Sequence, residues 1–89
     1  MRAIVTVVGK DKVGIIAAVC SRLAAYNINI QDISQTVVDG YFNMIMITDI
    51  SGATMPLAEI AVAMDKEGAE HGMSVRVQRE DIFDAMHRI

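Results

Sequence analysis

Along the chain the spacing of apolar residues changes period, and each change marks an element. Ala3-Ile4-Val5-Thr6-Val7-Val8 is a β-branched run closed by Gly9. It predicts a strand buried on both faces, hence central in its sheet. After the polar turn Gly9-Lys10-Asp11-Lys12-Val13-Gly14, the residues Ile15, Ile16, Val19, Leu23 and Tyr26 recur at helical spacing. Asn27 is the expected stop, because asparagine tolerates the left-handed conformation. Ile28-Asn29-Ile30 opens a second strand. Its apolar positions are even-numbered, yet Ile33 is odd, which predicts a bulge near Gln31-Asp32. The strand runs through Val37-Val38 to Asp39-Gly40, a strong hairpin signal. Tyr41 to Thr48 is the return strand.

Ser51-Gly52-Ala53-Thr54 predicts a loop, and Pro56 suits the first turn of a helix. Leu57, Ile60, Ala61 and Met64 form the buried stripe of that helix. Glu59, Asp65, Lys66, Glu67 and Glu70 form its wet face, and Gly72 stops it. Met73, Val75 and Val77 alternate with polar residues, as in a half-buried strand. Ile82, Phe83, Met86 and Ile89 fall on one side of a short amphipathic tail helix. They are expected to bury against the sheet or a neighbouring subunit. The order is βαββαβ plus a tail helix. This predicts one α+β domain over residues 1–89, a ferredoxin-like antiparallel sheet with two helices on one face. Its core spans 1–79 and its C-terminal helix 80–89.

Composition adds a partner to this picture. The chain has 89 residues, 53% hydrophobic and 4% aromatic. That is more apolar surface than one thin core readily buries, so a homodimer is expected. A net charge of -3, with no basic patch, leaves no electrostatic footprint for nucleic acid. No apolar run approaches membrane-spanning length. Met1-Arg2-Ala3-Ile4 enters a strand without a secretory signal, and a single thiol, Cys20, makes no internal disulfide. A cytoplasmic location is expected.

Candidate chemistry points away from catalysis. The serines lie in unrelated patterns, and His71 and His87 have no carboxylate or cysteine at metal-ligand spacing. No enzyme activity, cofactor or metal is expected. Two segments carry more. The Gly9–Gly14 loop leads into a helix N-terminus, where free N–H groups and the helix dipole favour an anionic group. Asp11 and Lys12 could orient an amino acid there; alternatively, Asp11 simply caps the helix. In Asn27 to Asp32 polar side chains alternate with isoleucine. Their amides could hold a polar ligand or a backbone edge, or could merely end the helix and face solvent.

Val5 to Ile16, Leu23-Ala24 and Tyr26-Asn27-Ile28-Asn29-Ile30 together resemble the ACT domain, a small-molecule-sensing module of amino-acid metabolic enzymes. Gly-Lys-Asp-Lys-Val-Gly-Ile at 9–15, Asp-Ile-Ser-Gln-Thr-Val at 32–37 and Ile-Phe-Asp-Ala-Met-His-Arg-Ile at 82–89 resemble the free-standing UPF0237 group, related to the glycine cleavage system transcriptional repressor. The resemblance implies a regulatory module that binds an amino-acid effector at a dimer interface, acting on a metabolic enzyme or regulator. One subunit supplies the loop and the other the start of the second strand. The implied ligand-binding residues are Gly9, Asp11, Gly14 and Ile15 with Asn29, Ile30 and Gln31. Gly14 would permit close backbone approach. Val13 stands where many members have proline. Asp11 stands where some amino-acid binders have asparagine, and it would hold an ammonium rather than a carboxylate. The competing reading is an interaction or dimerisation module on the same scaffold with a vestigial pocket.

Overall fold

Four segments become strands because β-branched and long apolar side chains alternate in them, and two become helices because their apolar residues return every three to four positions. The computed structural model describes residues 1–10 and 14–86, without the side chains of Phe83, Ala85 and Met86. In order these are β1 (Arg2–Gly9), α1 (Ile15–Ala25), β2 (Asn29–Val38), β3 (Tyr41–Asp49), α2 (Leu57–Glu70), β4 (Ser74–Arg79) and α3 (Glu80–Met86). The expectations for Asp11, Lys12, Val13, His87 and Ile89, and for the side chains of Phe83 and Met86, lie outside the described residues.

The turns obey backbone chemistry. Asn27 takes φ 59°, and its N–H bonds the Ala24 carbonyl as α1 ends. Asp39 and Gly40 take φ 50° and 80°, and Val38 pairs directly with Tyr41. Two positive φ values match the twist of a two-residue hairpin. The expected bulge is present as a register shift between Ile30 and Asp32 against β3. Pro56 lies one position earlier than expected. It precedes the helix with φ -62° and ψ 153°, and its carbonyl accepts the Ile60 N–H.

The sheet is antiparallel with order β2-β3-β1-β4. β1 is central, as its apolar run predicts. Residues directly opposite in such a sheet share a face. On the helical face Ala3, Val5 and Val7 meet Met44, Met46, Val75 and Val77, with Ile15, Val19 and Leu23 of α1 and Ile60 and Met64 of α2 completing the core. Thr48 is the one buried polar residue among those described, and its hydroxyl donates to the Ala3 carbonyl at 2.9 Å. The opposite face carries Ile4, Thr6 and Val8 of β1 and Ile45 and Ile47 of β3. Ile4 is buried, but Thr6 and Val8 are only half-buried, so β1 is less enclosed on this side than its sequence suggests.

Glu67 departs from its expected place on the wet face. Its side chain is only 12% exposed and faces Arg22 of α1 at 3.5 Å. The Glu67 carboxylate, and after it Tyr26, holds the Arg22 guanidinium further into its charged form. At the other end, Ser51 donates both its hydroxyl and its backbone N–H to Asp49, which lowers the Asp49 carboxyl below its ordinary value. Helix α3 lies against β1 and β4, and Arg2 bonds Glu80 at 2.8 Å. The expected burial of Ile82 against the sheet is not seen: it is 47% exposed. Among the described residues no helix is long and apolar enough to cross a membrane.

Candidate functional site

The loop after β1 opens α1 at Gly14, which takes φ 80°. That left-handed geometry is why glycine stands there, since a side chain would crowd the backbone. A Cβ at Gly14 would meet nothing within 4 Å among the described residues, so close approach of one of them is not the reason. Among the described residues α1 starts without a side-chain cap and without an acidic residue in its first turn. Its first N–H groups retain their partial positive charge. We expect Gly14→Val to lose about 1–3 kcal/mol through backbone strain, and Gly14→Asn clearly less, because asparagine accepts positive φ. Thermal melts of both variants check this. Equal losses would mean that side-chain volume, not φ, governs the position.

The other loop residues divide by role. Gly9 is half-buried, and a Cβ there would come within 2.6 Å of the Met73 side chain. Its smallness serves β4 rather than a ligand. Ile15 is fully buried in the core and presents no side chain to solvent, contrary to its expected ligand contact. Asp11 lies outside the described residues. Lys10 holds its ammonium 5.3 Å from the centre of the Tyr41 ring.

At the start of β2, Asn27 has a structural task. Its amide donates to the Gly52 carbonyl at 2.8 Å and ties the β3–α2 loop to the end of α1. Asn29 is exposed, Ile30 is half-buried against the core, and Gln31 is exposed in the bulge. Asp32 turns its carboxylate to the Ile33 N–H at 2.9 Å.

These two groups do not meet within one chain. Asn29 pairs with Asp49, and Asp49 pairs with Arg2, so the start of β2 lies at the Arg2 end of the sheet. Gly9 and Gly14 lie at the other end, about 23 Å away along the strands by the rise per residue. Only Ile30 and Gln31 accompany Asn29. The free edge between them is β2 itself, which pairs on one side only. On its helical face Ile33 is 42% and Val37 61% exposed, because α1 and α2 do not reach over the edge strand. Cys20 and Ala24 lie on the flank of α1 opposite Arg22.

A separate cleft of about 200 Å³ runs between the two helices, lined by Arg22, Tyr26, Ala63, Lys66, Glu67 and Glu70. The sequence reading missed it. Its one legible signal is Glu67, a charge beside the buried stripe of α2 rather than opposite it. Among the described residues no three histidine, cysteine or acidic side chains are placed to hold a metal ion.

Comparison with known proteins places these features in a family. A family model described as ACT domain matches residues 2–78. A UPF0237 protein of Listeria innocua is 49% identical over 89 residues, the whole of both chains. An ACT domain protein from Streptococcus pneumoniae has the same fold with a TM-score of 0.83, at 39% identity and 98% coverage of each chain. A putative glycine cleavage system transcriptional repressor shares the fold alone, with a TM-score of 0.70 at 19% identity, over 86% of this chain and 44% of that one.

Proposed function

This chain belongs to the ACT domain family, and from that premise we propose that it is a non-catalytic regulatory module that senses an amino acid between two copies of itself. ACT domains are typically regulatory and bind small molecules. One observation carries the finer reading. Gly9 and Gly14 and the strand start at Asn29–Gln31 sit at opposite ends of one sheet, and the edge strand that links those ends has no partner on its outer side among the described residues. Antiparallel pairing of β2 with β2 of a second copy turns the partner end for end. The partner's Asn29 then arrives at the end where α1 opens. The same pairing covers Ile33 and Val37 and gives the β2 edge its missing hydrogen bonds. A carboxylate at the uncapped α1 N-terminus and polar contacts from Asn29 and Gln31 suit an amino acid. The module acts in the cytoplasm on a metabolic enzyme or regulator.

The test is a thermal-shift screen of the twenty amino acids, since a ligand specific to the folded state raises the melting temperature. The ligand found is then titrated calorimetrically into Asn29→Ala. Losing one hydrogen bond of about 0.5–1.5 kcal/mol weakens binding roughly two- to thirteen-fold while the free protein melts as before. Unchanged affinity would place the site elsewhere. A second reading, a docking module with a vestigial pocket, is favoured by the structural roles of Gly9 and Ile15. It prevails if no amino acid shifts the melt.

A further inference from the structure

The cleft between the helices plays no part in the interface proposed above. It lies on the flank of α1 that faces α2, away from the β2 edge, and its whole lining belongs to one chain. Its walls carry two charges of each sign: Arg22 from α1, and Lys66, Glu67 and Glu70 from α2. Positions 63, 66, 67 and 70 stand three and four apart, so they form one stripe of α2.

These charges are poorly matched to one another. Arg22 and Glu67 approach only to 3.5 Å, beyond the ~2.8 Å of a charge-assisted hydrogen bond. The Glu67 carboxylate, nearly covered, can accept about four donors and meets Arg22 alone among the described residues. Lys66 and Glu70 are one turn apart and exposed, yet neither makes an ion pair among the described residues. Lysine before glutamate is the weaker order for such a pair. Glu67 and Glu70 also occupy the last turn of α2, where no basic residue stands. A helix C-terminus already favours a cation, and two carboxylates strengthen that pull.

We propose that this cleft binds a small zwitterion, the chemistry of a free amino acid, within a single chain. The ammonium goes to Glu67 and Glu70 at the end of α2, and the carboxylate to Arg22 and Lys66. Ala63 leaves room between them, and the half-buried Tyr26 offers its ring to the carbon skeleton. A ligand with one sign of charge would gain one pair of partners and be repelled by the other. The volume of about 200 Å³ is below the ~300 Å³ at which pockets for drug-sized ligands begin, so the occupant is small. Contacts between exposed charges contribute little each, and binding is expected at about millimolar strength. This site goes beyond the one proposed above and needs no second copy.

The test follows amide chemical shifts of the intact protein titrated with L-alanine over roughly 0.1–50 mM, a range that spans millimolar binding. Propionate and ethylammonium, which are L-alanine without its ammonium and without its carboxylate, are titrated alongside. The expected result is saturable shifts at Arg22 and from Ala63 to Glu70 with L-alanine. Either half binds at least about tenfold more weakly, as the loss of charge-assisted hydrogen bonds implies. Arg22→Gln strips a covered carboxylate of its partner and so tests folding as well; the exposed Glu70 gives the cleaner variant. Glu70→Lys reverses the preference, so that propionate binds more tightly than L-alanine, and a reversal cannot arise from misfolding. Shifts confined to the surroundings of Gly14 and Asn29 would overturn the cleft and leave the interface site standing. Propionate that binds the parent as tightly as L-alanine would overturn the proposal, as would a Glu70→Lys variant that keeps the parent's preference or the absence of any saturable shift.

Discussion

Gly68→Val is expected to be among the most damaging single changes in this protein. Gly68 is in the last turn of α2 and is buried where the helix lies on β4. A Cβ there would sit 2.5 Å from Cγ2 of Val75 and 2.9 Å from the Met73 carbonyl oxygen. The Met73 N–H bonds back to the Gly68 carbonyl at 2.9 Å, so the two backbones are tied at this separation. A glycine inside a helix costs about 1 kcal/mol relative to alanine, and the fold accepts that cost to bring helix and strand together. Gly68→Ala recovers the propensity but must push backbone from backbone, with a net loss of about 1–2 kcal/mol by the usual cost of overpacking. Valine adds two more carbons, and the loss is expected to exceed about 3 kcal/mol. At about 4–8 °C per kcal/mol, the melting temperature falls by 12 °C or more. Urea unfolding of both variants measures the series. An alanine variant more stable than the parent would show that the α2–β4 contact has slack.

Leu23→Ala is the second. Leu23 is fully buried among α1, α2 and the sheet. Truncating it removes three carbons and leaves a cavity, at about 2–5 kcal/mol. A domain of this size holds only about 4–13 kcal/mol in total, so a sizeable fraction of its stability goes. The residue is more than two turns from Gly14, and its side chain is buried in the core away from solvent. Affinity for an amino acid should therefore persist in the folded fraction while the denaturation midpoint falls. A loss under about 1 kcal/mol would mean that the helices close over the gap.

What could be read from the residues was local. The strand and helix periods, the left-handed Asn27, the Asp39-Gly40 hairpin and the bulge before Asp32 each depend on neighbours in the chain. A phase slip between Ile30 and Ile33 has one simple geometric cause, and the register shift lies there. The family, too, was legible in the Gly9–Ile15 and Asp32–Val37 motifs. The candidate site was half legible. The Gly9–Gly14 and Asn29–Gln31 segments were singled out by pattern, but a motif does not say what each side chain does in three dimensions.

Tertiary structure decided those roles. Ile15 turns into the core and Gly9 makes room for Met73, because the helical face of the sheet is closed at that end. Glu67 looks like a solvated charge in a linear pattern, yet it is covered once α1 brings Arg22 beside it. Gly68 reads as a weak point in a helix until Val75 lies against it. The sequence by itself determined which elements form and in what order, since period and turn chemistry act over a few residues. The fold alone decided that β2 is an edge and that the two halves of the proposed site lie at opposite ends of the sheet. Strand order and register arise from contacts between residues far apart in the chain, which no local pattern encodes.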